Sequence, residues 1–537
     1  MEVIFFLSSG LFLGWSLGAN DAANVFGTAV GTRMVKFRTA ALVCSVFIIL
    51  GAVISGAGAA HTLGRLGAVN ALPGAFTVAL AAGLTTLWMT RLNLPVSTSQ
   101  AIVGAIIGWN FYADTVTDTR SLGSIVTTWV ACPLLAAAVA ALLYLAARRF
   151  IARRRPHLLS LDAWTRVGLL VAGAFGSYSL GANNIANVMG VFVPDNPFPD
   201  LTVLGLTISG AQLLFALGGL AIAVGVFTFS ERVMKTVGGG LLRLSPVAAL
   251  VVVLAHSITL FLFASEGLEH VLASLGLPTF PLVPVSSSQA VIGAIIGIGL
   301  LKGGKDIRYG VLGEISLGWA ATPVLAGLMS FGLLFVVENV LDQHVSHDVT
   351  YRIDAAVIAD LNTTGINDPG LLRLQNRDRA NSERLQHDLK KATRLDDSQI
   401  LDVIARAKLG NWHVDPALVS RERDRDWFSD GQMRAIRFLA GRSYERSWAL
   451  RHDLAAASPE WRARAASKQN KLHNKELELK LEYLEQVFSV RERDPDQEEE
   501  LPEPAATSPV AAPADTSALL PEGAPPDSAT APVSAPR

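Results

Sequence analysis

The chain has 537 residues, half of them apolar, and its 45 Lys+Arg against 46 Asp+Glu leave a formal net charge of −1. That balance hides a division: 18 Lys+Arg and 13 Asp+Glu fall up to Leu341, and 27 and 33 lie beyond it. The length exceeds one simple domain, neither part has the basic face that nucleic-acid binding needs, and the two cysteines, Cys44 and Cys132, sit inside apolar runs, so a nucleic-acid partner and a disulfide framework are both excluded.

In chain order, ten apolar stretches of spanning length or nearly so run at 3–31, 39–60, 72–90, 94–112, 121–147, 164–193, 201–229, 245–265, 281–301 and 309–337. The N-terminus has no basic leader and no small-residue cleavage site, so the first stretch reads as a mature span. Loops holding Arg33/Lys36/Arg38, Arg148/Arg149/Arg153/Arg154/Arg155, Glu231/Arg232/Lys235/Arg243 and Lys302/Lys305/Arg308 are basic, whereas Asp114/Asp118, Asp195/Asp200 and Glu266/Glu269 lean acidic. Because basic loops stay in the cytoplasm, ten crossings with the N-terminus outside put every basic loop inside and every acidic loop outside. Arg65 and Arg120 dissent.

Three landmarks are written twice. Gly18-Ala19-Asn20-Asp21-Ala22-Ala23-Asn24 matches Gly181-Ala182-Asn183-Asn184-Ile185-Ala186-Asn187, Pro95-Val96-Ser97-Thr98-Ser99-Gln100 matches Pro284-Val285-Ser286-Ser287-Ser288-Gln289, and Trp129 to Pro133 matches Trp319 to Pro323. Five crossings per half make the second half enter from the opposite side, so the duplication is expected to be inverted. The expected organisation is a first membrane repeat at 1–147, a basic cytoplasmic linker at 148–163, a second repeat at 164–341, a soluble helical region at 342–493 and a disordered acidic, then Pro/Ala-rich tail at 494–537.

Ser97 with Gln100 and Ser286 with Gln289 fit the S-x-x-Q capping box, which predicts a helix starting at each. At mid-membrane such a start turns free N–H groups and the positive dipole end toward whatever lies opposite, which suits an anion. Asn20, Asp21, Asn24, Asn183, Asn184 and Asn187 lie at membrane depth, where polar side chains normally face a protein-lined pathway. Glycines at 18, 27, 31, 181 and 190 are expected to let those helices unwind. The plainer reading of such residues is hydrogen bonding between helices, and of Gly104/Gly108 and Gly293/Gly297 close helix packing. His256 reads as a core histidine rather than a proton relay.

The Gly-Ala-Asn-Asp-x-Ala-Asn-x-Phe-Gly-Thr-Ala-Val-Gly run at 18–31 and the Pro-Val-Ser-Thr-Ser-Gln run at 95–100 resemble the signatures of the inorganic phosphate transporter (PiT) family, over about residues 1–340. The resemblance implies an all-α polytopic secondary transporter of two inverted five-crossing repeats with interrupted or hairpin helices, often dimeric, which moves inorganic phosphate across the bacterial inner membrane with Na⁺ or H⁺. It implies phosphate ligands at Ser97, Thr98, Ser99, Gln100, Ser286, Ser287, Ser288, Gln289, Asn24 and Asn187. Cation coupling falls to Asn20, Asp21, Asn183 and Asn184, with Asp21, Asn20 and Asn183 as Na⁺ ligands. Many members carry Asp where this chain has Asn184, which bears on cation stoichiometry.

Neither motif holds Lys or Arg, so the anion's charge must be met by hydroxyls, amides, helix N-termini and a co-bound cation, or by protonation of Asp21. No cofactor beyond the co-transported ion is expected. A sulfate or other oxyanion permease and a phosphate sensor with the C-terminal region as output are the alternatives. A serine hydrolase built on Ser97 or Ser286 lacks an adjacent base in the motif. Parity puts the C-terminal region outside, in a periplasm, with 371–408 and 455–492 helical and 468–490 as a coiled coil.

Overall fold

The computed structural model describes residues 2–490 except 68, 93–95, 204–205, 238–243, 305–306, 420–426, 466, 468 and 469. Pro95, Arg243, Lys305, the side chains of Arg65 and Lys235, and the tail expected to be disordered lie outside the described residues. Twelve helices build the apolar part: α1 (Glu2–Gly31), α2 (Phe37–Ser55), α3 (Ala57–Leu66), α4 (Leu72–Arg91), α5 (Thr98–Tyr112), α6 (Thr119–Arg154), α7 (Leu158–Met189), α8 (Gly210–Val237), α9 (Pro246–Ala264), α10 (Glu266–Ser274), α11 (Ser287–Leu301) and α12 (Tyr309–Asn339). Among the described residues, eight of these are long and apolar enough to cross a membrane.

The ten apolar stretches therefore resolve differently from the sequence expectation. Two of them, α5 and α11, are helical for only 15 residues each, about 22 Å at 1.5 Å per residue, too short for a hydrocarbon core of about 30 Å. The stretch at 39–60 breaks into α2 and α3 at Gly56, which lies so close to Ile185 that a Cβ there would overlap it. The stretch at 201–229 opens instead with a short antiparallel pair, Leu201–Val203 with Leu206–Ile208, before α8 begins. Conversely, α1 and α7 run unbroken through Gly18 and Gly181, so the expected unwinding does not occur there, whereas at Gly190 α7 gives way to a 3-10 turn, Gly190–Phe192.

Those glycines serve packing. A Cβ on Gly18 would overlap the Ile222 carbonyl of α8, and one on Gly181 the Ile48 carbonyl of α2. Likewise Gly104 of α5 abuts the Pro323 backbone of α12, and Gly293 of α11 abuts Pro133 of α6. Small residues let backbones approach where no larger side chain fits. The matched glycines thus fix matched helix pairs: α1 with α8 and α7 with α2, α5 with α12 and α11 with α6.

α5 and α11 leave the centre toward different ends of the molecule. Trp109 Nε1 near the end of α5 donates to Val345 O, just past the end of α12, at 3.1 Å. Lys302, at the end of α11, lies over the Tyr144 ring late in α6, whereas the start of α6 meets the C-terminal region through Arg120 and Asp402.

Residues 349–490 form two small lobes. One core gathers Tyr351, Ile353, Val357, Leu361, Leu385, Leu389, Ile400 and Val403, and the other Trp412, Val414, Ile436, Leu450, Leu454, Trp461, Leu484 and Phe488. They are tandem copies. Leu-x-x-Arg-x-x-x-x-Ser-x-x-Leu-x-His-Asp-Leu-x-x-Ala occurs at 374–392 and again at 439–457. In each copy a short strand pairs with one upstream, Tyr351 opposite Arg379 and Trp412 opposite Tyr444, and a helix follows, Ser382–Ala392 or Ser447–Ala457. The stretch expected as a coiled coil is helical over Lys471–Phe488, but Leu477, Leu481, Leu484 and Phe488 are buried in the second lobe's core.

Candidate functional site

The two Ser-rich motifs meet at the centre. Ser97 and Ser286 are extended in backbone and each accepts the backbone N–H three residues on, from Gln100 and Gln289, at 3.3 Å, as a helix cap should. Around these starts the chain is non-helical and buried, so its carbonyls need side-chain donors. They come from the opposite motif: Ser99 Oγ donates to Val285 O at 3.1 Å, and Ser288 Oγ donates to Val96 O at 3.0 Å. Each motif completes the other.

The asparagine segments of α1 and α7 flank this crossing. Asn183 clamps Val285 from both sides, its Nδ2 donating to the carbonyl at 2.8 Å and its Oδ1 accepting the N–H at 2.9 Å. Asn187 Nδ2 donates to Ser99 Oγ at 2.8 Å, and Asn24 Nδ2 donates to Ser287 Oγ at 3.0 Å. Asp21 is buried and accepts from Asn20 Nδ2 at 3.2 Å and from Asn184 Nδ2 at 3.0 Å. Asn184 Oδ1 in turn accepts from Asn183 and Asn187. Ser286 and Ser288 share a hydrogen bond at 3.1 Å. Ser97 to Gln100, Ser286 to Gln289 and Asn20, Asp21, Asn24, Asn183, Asn184 and Asn187 thus belong to, or directly adjoin, one polar centre, and all but the half-buried Asn20 and Asn24 are buried.

Two features were not foreseen. The reciprocal half of the capping box is missing at both motifs: Gln100 Oε1 and Gln289 Oε1 are buried without a hydrogen-bond partner, as is the Thr98 hydroxyl. And His256 of α9, expected to be a core residue, holds Nε2 3.0 Å from Ser287 Oγ, with Nδ1 buried and unpartnered. Its signal lay in the packing of α9 on α11 and not in the sequence around it. Glu314 is exposed on α12.

No Lys or Arg is bonded to any of these residues among the described interactions. The donor set, one carboxylate with neutral amides and hydroxyls, offers hard oxygen ligands to a small cation, with Asp21 as the charged member. Asn183, also expected as a cation ligand, has its carbonyl engaged by the Val285 N–H in this structure. Among the described residues there is no cluster of three or more His, Cys, Asp and Glu that could hold a metal ion.

Eight apolar helices of spanning length among the described residues, around a buried polar crossing, define a polytopic integral membrane protein. The family model described as Phosphate transporter family matches residues 17–279 and 272–365. Relatives in several organisms carry the name "Putative phosphate permease". One, from Methanocaldococcus jannaschii, is 26% identical over 321 residues, covering 60% of this chain and 93% of the relative. Another, from Haemophilus influenzae, is 22% identical over 426 residues, covering 62% and 96%. A solved structure, "The sodium-dependent phosphate transporter", shares the fold with a TM-score of 0.50 and 23% identity, over 63% of this chain and all of that one. The chain belongs to the phosphate transporter family, a family of transporters rather than enzymes.

Proposed function

We propose that the protein is a secondary active transporter that moves inorganic phosphate across the membrane by alternating access, coupled to a cation, with Na⁺ favoured over H⁺. The observation that carries this reading is the mutual completion of the two Ser-rich helix starts, Ser99 with Val285 and Ser288 with Val96, beside a buried Asp21 whose described partners are amides. An anion held there by hydroxyls, amides and helix N-termini has no fixed positive charge opposite it. A carboxylate in the same centre has none either. A co-bound cation or proton offsets both, and each ion then improves the site for the other, which is coupling.

The phosphate ligands in this reading are Ser97, Thr98, Ser99, Gln100, Ser286, Ser287, Ser288, Gln289, Asn24 and Asn187. Asp21, Asn20, Asn183 and Asn184 serve the cation. The matched helix pairs and the divergence of α5 and α11 toward different ends support two inverted repeats, the architecture in which such starts meet at mid-depth. The basic loops support an orientation with the C-terminal region outside, and a bacterial inner membrane and a homodimer in the bilayer are part of the same reading.

The test is uptake of radiolabelled phosphate into proteoliposomes under an imposed Na⁺ or proton gradient. Gradient-driven accumulation of phosphate is the expected result. Accumulation of sulfate instead would make the protein a permease for a different oxyanion, and binding without accumulation would leave it a sensor.

A further inference from the structure

We infer that the buried centre reads the proton on its anion: Asn187 Oδ1, Gln100 Oε1 and Gln289 Oε1 are acceptors among which the one or two P–O–H groups of hydrogen phosphate find partners, and so the centre rejects sulfate. The inference rests on the phosphate reading above and adds its selectivity.

The orientation of Asn187 follows from a chain of obligatory donors and acceptors. The Asp21 carboxylate accepts, so the group of Asn184 facing it is Nδ2, and Asn184 Oδ1 is left as an acceptor. From the other side, the Val285 N–H can only donate and the Val285 carbonyl can only accept, which fixes Asn183 with its Oδ1 on the N–H and its Nδ2 on the carbonyl. That Nδ2 also donates to Asn184 Oδ1 at 2.7 Å, so both ends of the chain agree. Asn187 then donates Nδ2 to Ser99 Oγ, whose own hydrogen is committed to Val285 O. What remains is Asn187 Oδ1, an acceptor on a fully buried residue with no donor.

The two glutamines reach the same condition independently. Elsewhere in this chain the same pattern closes its box: the glutamine carbonyl accepts the cap residue's own N–H at Ser209/Gln212, Asp396/Gln399 and Ser429/Gln432, at 2.9–3.1 Å. Only at the central motifs, among the described residues with that pattern, does the cap form while the carbonyl stays unpartnered and buried. A buried polar atom without a partner is costly, so three buried acceptors without donors, one on each Ser-rich motif and one on the Asn187 that bonds Ser99, point to a ligand that brings donors.

Phosphate near neutral pH carries one or two O–H groups. Sulfate, with the same tetrahedral shape and nearly the same size, carries none. Hydroxyl and N–H donors such as the Thr98 hydroxyl serve the bare oxygens of either anion equally. The free carbonyls distinguish them, because with sulfate they stay unpaired or face its oxygens. Sites that pair with a substrate hydroxyl reject the analogue that lacks it far more strongly than apolar pockets reject an added group.

The experiment measures uptake of radiolabelled phosphate by the full-length protein in proteoliposomes against arsenate, sulfate and monofluorophosphate. Monofluorophosphate is a dianion of phosphate's shape with fluorine in place of the hydroxyl. Arsenate, which keeps an O–H, is expected to compete at concentrations close to those of phosphate, and the two anions without one to need about 100-fold more. Gln100→Met and Gln289→Met preserve side-chain length and remove the acceptor, and each is expected to lower the sulfate-to-phosphate inhibition ratio about tenfold.

Equal competition by sulfate, monofluorophosphate and arsenate in the unmodified protein overturns the inference while leaving phosphate transport standing, and this series needs no variant to fold. Methionine variants that alter the cation dependence with an unchanged anion ratio also overturn it, by making the carbonyls cation ligands. Failure of the protein to take up or bind phosphate at all sinks both this inference and the reading beneath it.

Discussion

At the scale of residues, Asp21 decides the electrostatics of the centre. It is buried, its described partners are the Asn20 and Asn184 amides, and a buried carboxylate without a countercharge is expensive. Asp21→Asn is therefore expected to abolish gradient-driven phosphate uptake, or to uncouple it, while the protein still inserts. Undiminished cation-driven uptake by that variant would remove Asp21 from the mechanism. Asn184 sharpens the point, since an Asp there would face the Asp21 carboxylate at the 3.0 Å now bridged by an N–H. Like charges so close require a cation or proton between them, so Asn184→Asp is expected to make uptake depend more steeply on cation concentration. A dependence of unchanged steepness in uptake assays would refute that. Ser287→Ala deletes a hydroxyl joined to both Asn24 and His256 and is expected to raise the KM for phosphate about tenfold; an unaltered KM would reduce the cluster to helix capping. The asparagines and serines were legible in the sequence because polar residues stand out in apolar runs and recur. His256 was not, because only the packing of α9 on α11 brings it to a serine 31 residues away.

At the scale of elements, the sequence located the polar helix starts and the close packing at Gly104 and Gly293, but not the use of Gly18 and Gly181. A glycine beside an asparagine motif reads equally as a hinge or as a contact, and composition cannot separate the two. The structure makes Gly18, Gly181, Gly104 and Gly293 contacts, each against a backbone carbonyl of a partner helix, and α1 and α7 stay helical in consequence. Gly293→Ala must push α11 away from Pro133, a backbone neighbour that cannot rotate aside, whereas Gly123→Ala on α6 meets nothing within 4 Å. Overpacking of this kind costs about 1–3 kcal/mol. The Gly293 variant is expected to lose thermal stability in detergent and the Gly123 variant to match the parent protein. Equal melting temperatures would show that the α6–α11 contact yields without cost. Helix length was the other blind spot, because an apolar run continues through the extended approach at 277–286, and hydropathy does not record where hydrogen bonding switches from backbone ladders to Asn183 and Ser99.

At the scale of the whole molecule, the C-terminal region touches segments from both halves of the helical core. Its first lobe meets the α5–α6 connection, with the Val116 N–H donating to Ser382 Oγ at 2.9 Å and Arg120 paired with Asp402. Its second lobe pairs Glu482 with His61 of α3 and Lys475 with the buried Glu269 of α10, while Lys471 bonds Thr279 on the approach to α11. The tandem origin of the lobes escaped the sequence reading because eight identities in nineteen positions are diluted by connections of unequal length. The helix at 471–488 resembled a coiled coil because leucines three and four apart suit a lobe core as well as a partner helix. The bridge from α3 to α10 has an energetic consequence: any transport step that shifts the two halves against each other must move the second lobe as a unit or break its bond to His61 or to Glu269. Lys475→Glu sets a carboxylate against Glu269 and is expected to loosen the lobe, read as faster chymotryptic release of the C-terminal region. Adding Glu269→Lys restores opposite charges in reversed order and is expected to return the cleavage rate toward that of the parent protein, a recovery that only direct coupling between the two positions produces. If the single reversal cleaves no faster, or the double reversal recovers nothing, the Lys475–Glu269 pair does not hold the lobe to the core.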